Sequence, residues 1–166
     1  MSIRRLVESD WEVYRAIRLE ALRTAPEAFG SDAEQQERLP PEHWAGRLAG
    51  GDSFVYGEFA GDGIVGIAGF ARESGRKTRH KGFIWGVYVS PAFRGRGVAR
   101  ELVTAILEDA RALDGLEQVT LSVVTENAAA KALYRSLGFT VFGTELRALK
   151  LGQRYLDEDH MVLFLG

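Results

Sequence analysis

The sequence predicts an α/β (α+β) fold, a mixed central sheet of about seven strands flanked by helices. Two observations predict this fold. First, β-rich runs and helical periods alternate along the 166 residues as strand, two helices, three strands, helix, strand, helix and two strands. Second, the strand–helix–strand unit within residues 82–124 should be parallel and right-handed, whereas the hairpins around it should be antiparallel. Helices are therefore expected on both faces of a mixed sheet.

In the first half of the chain, apolar residues and turn signals define the elements. Val13 and Ile17 repeat at helical spacing, and Pro40-Pro41 suits the first turn of a second helix. Gly61-Asp62-Gly63 is a hairpin signal between two β-rich runs. The predicted elements are a strand at 2–7, helices at 11–24 and 40–48, and strands at 53–60 and 64–71.

The second half of the chain is punctuated by glycines. Leu102 and Ile106 belong to a helical repeat, and Gly138 suits the left-handed residue that follows a helix. The last two strands should turn near Gly152. The predicted elements are strands at 82–89 and 118–124, helices at 97–113 and 127–137, and strands at 139–149 and 155–165.

The composition is that of a globular protein, with 46% hydrophobic and 27% charged residues and a net charge of −2. We expect one domain, residues 1–166, in the cytoplasm, with no general attraction for nucleic acid or a membrane. No apolar run approaches the roughly 20 residues of a membrane span. The absence of cysteine excludes disulfides and a cysteine nucleophile, and the three histidines have no metal-ligand spacing.

The segment Arg94-Gly95-Arg96-Gly97-Val98-Ala99 follows a strand and opens a helix. The first turn of a helix leaves N–H groups unpaired, and glycines let a phosphate approach them. The segment therefore predicts a pyrophosphate site, with a merely solvated turn as the alternative. The two common nucleotide motifs do not fit, because Arg100 replaces a small residue and no Lys-Ser/Thr ends the loop.

Two motifs together resemble the Gcn5-related N-acetyltransferase (GNAT) superfamily. One is Arg94-x-x-Gly97-x-Ala99, and the other runs from Asn127 through Leu133-Tyr134 to Gly138-Phe139. The resemblance implies a single N-acetyltransferase domain with a splayed parallel strand pair. It also implies acetyl-CoA as co-substrate, no metal, and direct attack of a primary amine through a tetrahedral intermediate.

The resemblance also implies roles for individual residues. The backbone of the strand before the turn would hold the pantetheine arm, and the side chain of Asn127 would reach that arm. Tyr134 would protonate the departing thiolate of coenzyme A. Asn127 can equally be a helix cap and Tyr134 a core residue. The expected cofactor-binding residues are Val87, Tyr88, Val89, Arg94, Gly95, Arg96, Gly97, Val98, Ala99, Asn127 and Tyr134.

The catalytic base and the acceptor stay open. The strand at 82–89 lacks the carboxylate that this family often uses, which leaves Glu58, Glu73, His80 and Glu145 as candidates. The resemblance places the acceptor near residues 25–45 and 145–160, where carboxylates could attract an amine. A small amine is preferred to a protein amine. Trp44, Trp85 and Tyr88 could line this pocket or belong to the core.

Two other functions compete with an acetyltransferase. The missing strand carboxylate allows a non-catalytic acyl-CoA-binding module on the same fold. The basic cluster of Arg72, Arg76, Lys77, Arg79, His80 and Lys81 would suit nucleic acid or the 3′-phosphate of coenzyme A, although no nucleic-acid recognition motif accompanies it. Many relatives form homodimers, but no surface of this sequence marks an interface.

Overall fold

A computed structural model describes the whole chain, Met1 to Gly166. Its helices are α1 Trp11–Thr24, α2 Ala33–Glu37, α3 Pro41–Gly46, α4 Val98–Ala112 and α5 Ala128–Ser136. Its strands are β1 Ser2–Arg5, β2 Ser53–Ala60, β3 Gly63–Arg72, β4 Lys81–Val89, β5 Gln118–Val124, β6 Thr140–Leu151 and β7 Arg154–Phe164. The predicted fold class and the order of the predicted elements are confirmed, with one helix added.

The added helix is α2, which lies in the polar segment between α1 and α3. Asp32 caps it, because its carboxylate accepts a hydrogen bond from the Gln35 N–H at 3.1 Å. The helix has five residues and no buried side chain. So short a helix shows no hydrophobic period, and the sequence pattern could not predict it.

All seven strands form one sheet in the order β1-β2-β3-β4-β5-β7-β6. Only β4 and β5 are parallel, and α4 makes the crossover between them. All other neighbouring strands are antiparallel. Because β7 is inserted between β5 and β6, the final hairpin places its second strand beside the parallel pair.

Helices cover both faces of the sheet, and each face has its own core. A cluster of 18 buried residues joins the sheet to α4 and α5, with Leu102, Val103 and Ile106 fully buried. A cluster of 10 buried residues joins the opposite face to α1 and α3, around Tyr14 and Trp44. No helix of the chain has both the length and the apolar character needed to cross a bilayer.

Candidate active site

The parallel strands β4 and β5 separate soon after they begin. They pair at three positions, from Lys81 opposite Gln118 to Phe83 opposite Thr120, and not beyond. Toward the end of β4 its other edge carries a bulge, since β4 takes three steps from Trp85 to Tyr88 while β3 takes two. Gly86 lies in this bulge with a left-handed φ of +65°. Beyond Phe83, the edge of β4 that faces β5 is therefore open to a ligand.

A cavity of about 800 Å³ occupies the gap between the separated strands. Hydrophobic residues make up 19 of the 29 that line it. The lining residues come from β4, the turn before α4, the end of β5, the first turn of α4, α5 with the residues just before it, the segment 25–29, and β7. The size and the mixed lining suit a ligand with an apolar arm and a polar end.

At one end of the cavity the chain enters α4 through two left-handed glycines. Gly95 has a φ of +76° and Gly97 a φ of +82°, and a Cβ at either position would meet only open space. Gly97 is the N-cap of α4 and has no side chain to cap the first amides. The bare amides of a 15-residue helix therefore stay available to an anion.

The two arginines of this turn differ in their contacts. The Arg94 Nε donates a hydrogen bond to the Val89 carbonyl at 2.9 Å, which ties the turn to the end of β4. The Arg96 guanidinium lies 5.2 Å from the centre of the Phe93 ring, outside the cavity. Every other residue predicted to bind the cofactor lines the cavity. Their part in binding remains a prediction.

Asn127 caps α5 and lines the cavity at the same time. Its Oδ1 accepts a hydrogen bond from the Ala130 N–H at 3.2 Å, so the predicted cap is present. Because the cap uses only the oxygen, the side-chain NH₂ of Asn127 keeps both donors for another partner.

Tyr134 lies two turns further along α5, and its side chain lines the cavity from within the core. The residue is only 7% exposed and packs edge-on against Phe139, with 6.0 Å between the ring centres. Burial raises the pKa of the Tyr134 phenol to about 12. The phenol therefore carries its proton at neutral pH and can donate it.

None of the four candidate bases named from the sequence lines the cavity. Glu58 is buried in β2, and burial raises the pKa of its carboxyl. Glu73 forms an ion pair with Lys81 at 3.7 Å, and Glu145 lies 3.3 Å from the His160 Nε2. A direct role as base is therefore not available to any of these carboxylates in this arrangement.

The segment that follows α1 forms another part of the cavity wall. Glu27 and Phe29 line it together with Trp85 and Tyr88, as expected for the acceptor side. Trp44 instead is fully buried in the core beneath α1.

Other carboxylates expected there already have partners. Lys131 Nζ lies 2.7 Å from the Asp159 carboxylate. The hydrogen bond from Lys131 is the largest of the interactions that lower the pKa of the Asp159 carboxyl to about 2. Glu37 pairs with Arg23 at 3.0 Å. Glu126, a cavity residue outside the expected ranges, pairs at 2.7 Å with Arg154, which also lines the cavity.

Arg18 packs behind Phe29 and Trp85 and was not predicted as a site residue. It is 5% exposed, and its Nε and Nη1 have no hydrogen-bond partner. Its guanidinium carbon lies 5.2 Å from the centre of the Phe29 ring and 5.7 Å from that of Trp85. A Cβ on Gly86 would come within 3.2 Å of Nη1. The Arg18 Nη2 donates a hydrogen bond of 3.5 Å to the Ser31 hydroxyl, but no carboxylate pairs with the guanidinium, and burial lowers the pKa of Arg18.

Ser122 also lines the cavity and was not predicted. It is a polar residue in β5, between the buried Leu121 and Val123. The alternation along β5 could have shown that its side chain faces away from the α4 core. What lies opposite it depends on strand register, which the sequence pattern does not supply.

Comparison with known proteins identifies the architecture. Residues 10–139 match the acetyltransferase (GNAT) family. The chain belongs to this family. A solved structure of yncA, a putative acetyltransferase from Salmonella typhimurium with its cofactor acetyl-CoA, superimposes with a TM-score of 0.81. It is 28% identical, and the match covers 100% of this chain and 94% of that one.

Two curated relatives differ in what their names say they acetylate. N-alpha-acetyltransferase RimI of Mycobacterium tuberculosis is 38% identical over 108 residues, 65% of either chain. An L-methionine sulfoximine/L-methionine sulfone acetyltransferase of Salmonella typhimurium is 38% identical over 80 residues, 48% of this chain and 46% of that protein. This chain therefore spans less than two thirds of the length of either relative.

Proposed function

We propose that the protein transfers an acetyl group from acetyl-CoA to a primary amine by direct attack. The observation that carries this proposal is the cavity between β4 and β5, which has bare helix amides at one end. Acetyl-CoA matches both features: its thioester lies on a long, peptide-like arm that suits the cavity, and its pyrophosphate suits the helix amides. The open edge of β4 offers main-chain hydrogen bonds to the arm, and the turn at Gly95–Gly97 receives the phosphates.

The reacting end then falls among residues with suitable chemistry. The Val87 N–H, in the bulge of β4, is the donor we assign to the tetrahedral oxyanion. Tyr134 donates its proton to the sulfur as the carbon–sulfur bond breaks. A phenol with a pKa of about 12 still carries its proton when negative charge develops on the sulfur. Because a thiol is more acidic than this phenol, the transfer requires that a proton from the attacking amine replaces the one that Tyr134 gives up.

Calorimetry and thiol release test this proposal together. Acetyl-CoA should bind the purified protein, and free coenzyme A should appear only when an amine is added from a broad panel. Failure to bind acetyl-CoA would contradict the proposal. Binding without turnover across the panel would favour the alternative, a non-catalytic acyl-CoA-binding module on the same fold.

Arg18 supports a narrower choice of acceptor, an amine that also carries a carboxylate. A buried guanidinium with two unpaired nitrogens is costly unless an anion pairs with it. Arg18 packs against Phe29 and Trp85, which line the acceptor end, and a carboxylate accepts two hydrogen bonds from a guanidinium. The amino-acid substrates named for the Salmonella relative have this chemistry. A free amino acid or a similar small molecule is therefore favoured over a protein amine.

The acceptor class is tested by pairs of amino acids and their amides. The wild-type protein should prefer the free acid, and R18M should reduce the ratio of kcat/KM values, acid to amide, by about 10- to 100-fold. R23M is the matched control, since Arg23 lies on the same helix and pairs with Glu37 at the surface. A ratio that R18M leaves unchanged would contradict this acceptor, even if the protein acetylates amines well.

A further inference from the structure

Three polar side chains form a continuous chain across the strands β5, β7 and β6. Ser122 is the direct cross-strand neighbour of His160, and its Oγ lies 2.8 Å from the His160 Nδ1. The His160 Nε2 lies 3.3 Å from the Glu145 Oε1. Ser122 lines the cavity, whereas His160 and Glu145 lie behind it. The chain therefore leads from the cavity to the solvent-exposed side of the last hairpin.

The partners of the imidazole determine its tautomer. A carboxylate oxygen only accepts hydrogen bonds, so the neutral ring places its proton on Nε2, facing Glu145. The Nδ1 then has a free lone pair and accepts the hydroxyl proton of Ser122. The ring of Phe142 lies 6.0 Å from the ring of His160 and covers one side of it. This arrangement is that of a hydroxyl, an imidazole base and a carboxylate that orients it.

We propose that Ser122, His160 and Glu145 form the proton relay that deprotonates the acceptor amine. This inference rests on the proposed acetyl transfer and supplies the base that its mechanism requires. Ser122 is the residue of the relay that touches substrate. His160 takes the proton through Ser122, and Glu145 is a positioning residue that stabilises the imidazolium.

The protons of the reaction balance through these groups. A protonated amine loses its first proton to the Ser122 Oγ while the hydroxyl proton of Ser122 moves to the His160 Nδ1. The neutral amine then attacks the thioester carbon, forming the nitrogen–carbon bond. As the carbon–sulfur bond breaks, the sulfur gains the Tyr134 proton, and the second amine proton restores Tyr134 through water. His160, whose side chain is 31% exposed, releases the first proton to solvent.

Kinetics of single and double variants test the relay. S122A and H160Q should each lower kcat by roughly 100-fold, the usual contribution of a general base. The S122A/H160Q double variant should lose little more than either single variant, because both interrupt one relay. T120V is the matched control: Thr120 lies two residues earlier on the same side of β5, outside the cavity. A wild-type kcat in H160Q, or losses that multiply in the double variant, would overturn the relay.

The split between kcat and KM separates Glu145 from a merely structural residue. E145Q replaces the carboxylate that faces the His160 Nε2 at 3.3 Å, so kcat should fall about tenfold while the KM for the amine stays near the wild-type value. A KM that changes while kcat stays at the wild-type value would contradict the assigned role of Glu145.

A measurement on the protein without substrates separates failure of the relay from failure of the acetyl transfer. Nitrogen-15 spectra of the imidazole should show His160 as the Nε2–H tautomer in the wild-type protein and a changed tautomer balance in E145Q. Finding the Nδ1–H tautomer in the wild-type protein would overturn the relay, whatever the activity. If the spectra show the expected Nε2–H tautomer but no amine is acetylated, the proposed acetyl transfer is wrong, and the three residues do not act as its proton relay.

Discussion

The two ends of the cavity are built in different ways. The proposed cofactor end uses backbone groups and small residues from one continuous stretch, from β4 through the turn at Gly95–Gly97 into α4. The proposed acceptor end uses side chains, Ser122 and Phe29 in its lining and Arg18 packed behind Phe29, which come from three separate parts of the chain. A site made of backbone groups suits the cofactor, which is the same whatever the acceptor, whereas a site made of side chains can be altered by substitution to suit a different acceptor. Substitutions should therefore harm binding at one end and selectivity or turnover at the other.

The largest expected effect is at the cofactor end. G97V should weaken acetyl-CoA binding by about 100-fold, because a β-branched residue is strained at a φ of +82° and fills the open approach to the amides. Calorimetry with acetyl-CoA measures this change.

The matched control for this substitution is G152V. Gly152 has a φ of +62° in the β6–β7 turn, and its Cβ would also meet open space. The two variants carry a similar backbone strain, so both should be less stable in urea, but only G97V should lose affinity. Equal affinities of the two variants for acetyl-CoA would contradict a pyrophosphate site at the Gly95–Gly97 turn.

This contrast also explains what the sequence could predict. The strand, the glycine turn and the helix are neighbours along the chain, so local signals were enough to predict these three elements and the bounds of α1 and β5. The splay of β4 from β5 came from the family resemblance. The pairing of Ser122 with His160 depends on the register between two strands that lie 38 residues apart at this point. Local patterns do not fix such a register.

The acceptor end shows the same limit in another form. Acidic residues around 25–45 and 145–160 predicted attraction for an amine, but Asp159 is neutralised by Lys131 and Glu37 by Arg23. Whether a surface carboxylate is free or paired is a property of tertiary structure. Arg18 gave no signal, since an arginine in an amphipathic helix is ordinarily on the solvent face.

Where the two ends meet, Tyr134 should affect turnover and spare binding. Y134F should lower kcat by roughly 10- to 100-fold, because the sulfur leaves without a proton donor. Affinity for acetyl-CoA should be nearly unchanged, because the ring that packs against Phe139 is kept. Calorimetry and steady-state kinetics on the same samples separate the two quantities.

The pH dependence gives Tyr134 a second test. Its pKa is raised to about 12, so the proton is present below that pH and is lost only as the pH rises through it. The wild-type kcat should therefore show no alkaline limb from Tyr134 well below pH 12. An alkaline limb near neutral pH that disappears in Y134F would contradict Tyr134 as a buried acid.

The smallest expected effect separates the two uses of Asn127. N127A removes the cap of α5 and should cost about 1 kcal/mol of unfolding free energy, together with a three- to tenfold loss of acetyl-CoA affinity. N127D keeps a cap oxygen for the Ala130 N–H but has no side-chain NH₂. It should keep the stability of the wild-type protein in urea while losing affinity as N127A does. If N127D bound acetyl-CoA like the wild-type protein, Asn127 would be only a cap, and cofactor recognition at this end would rest on backbone groups alone.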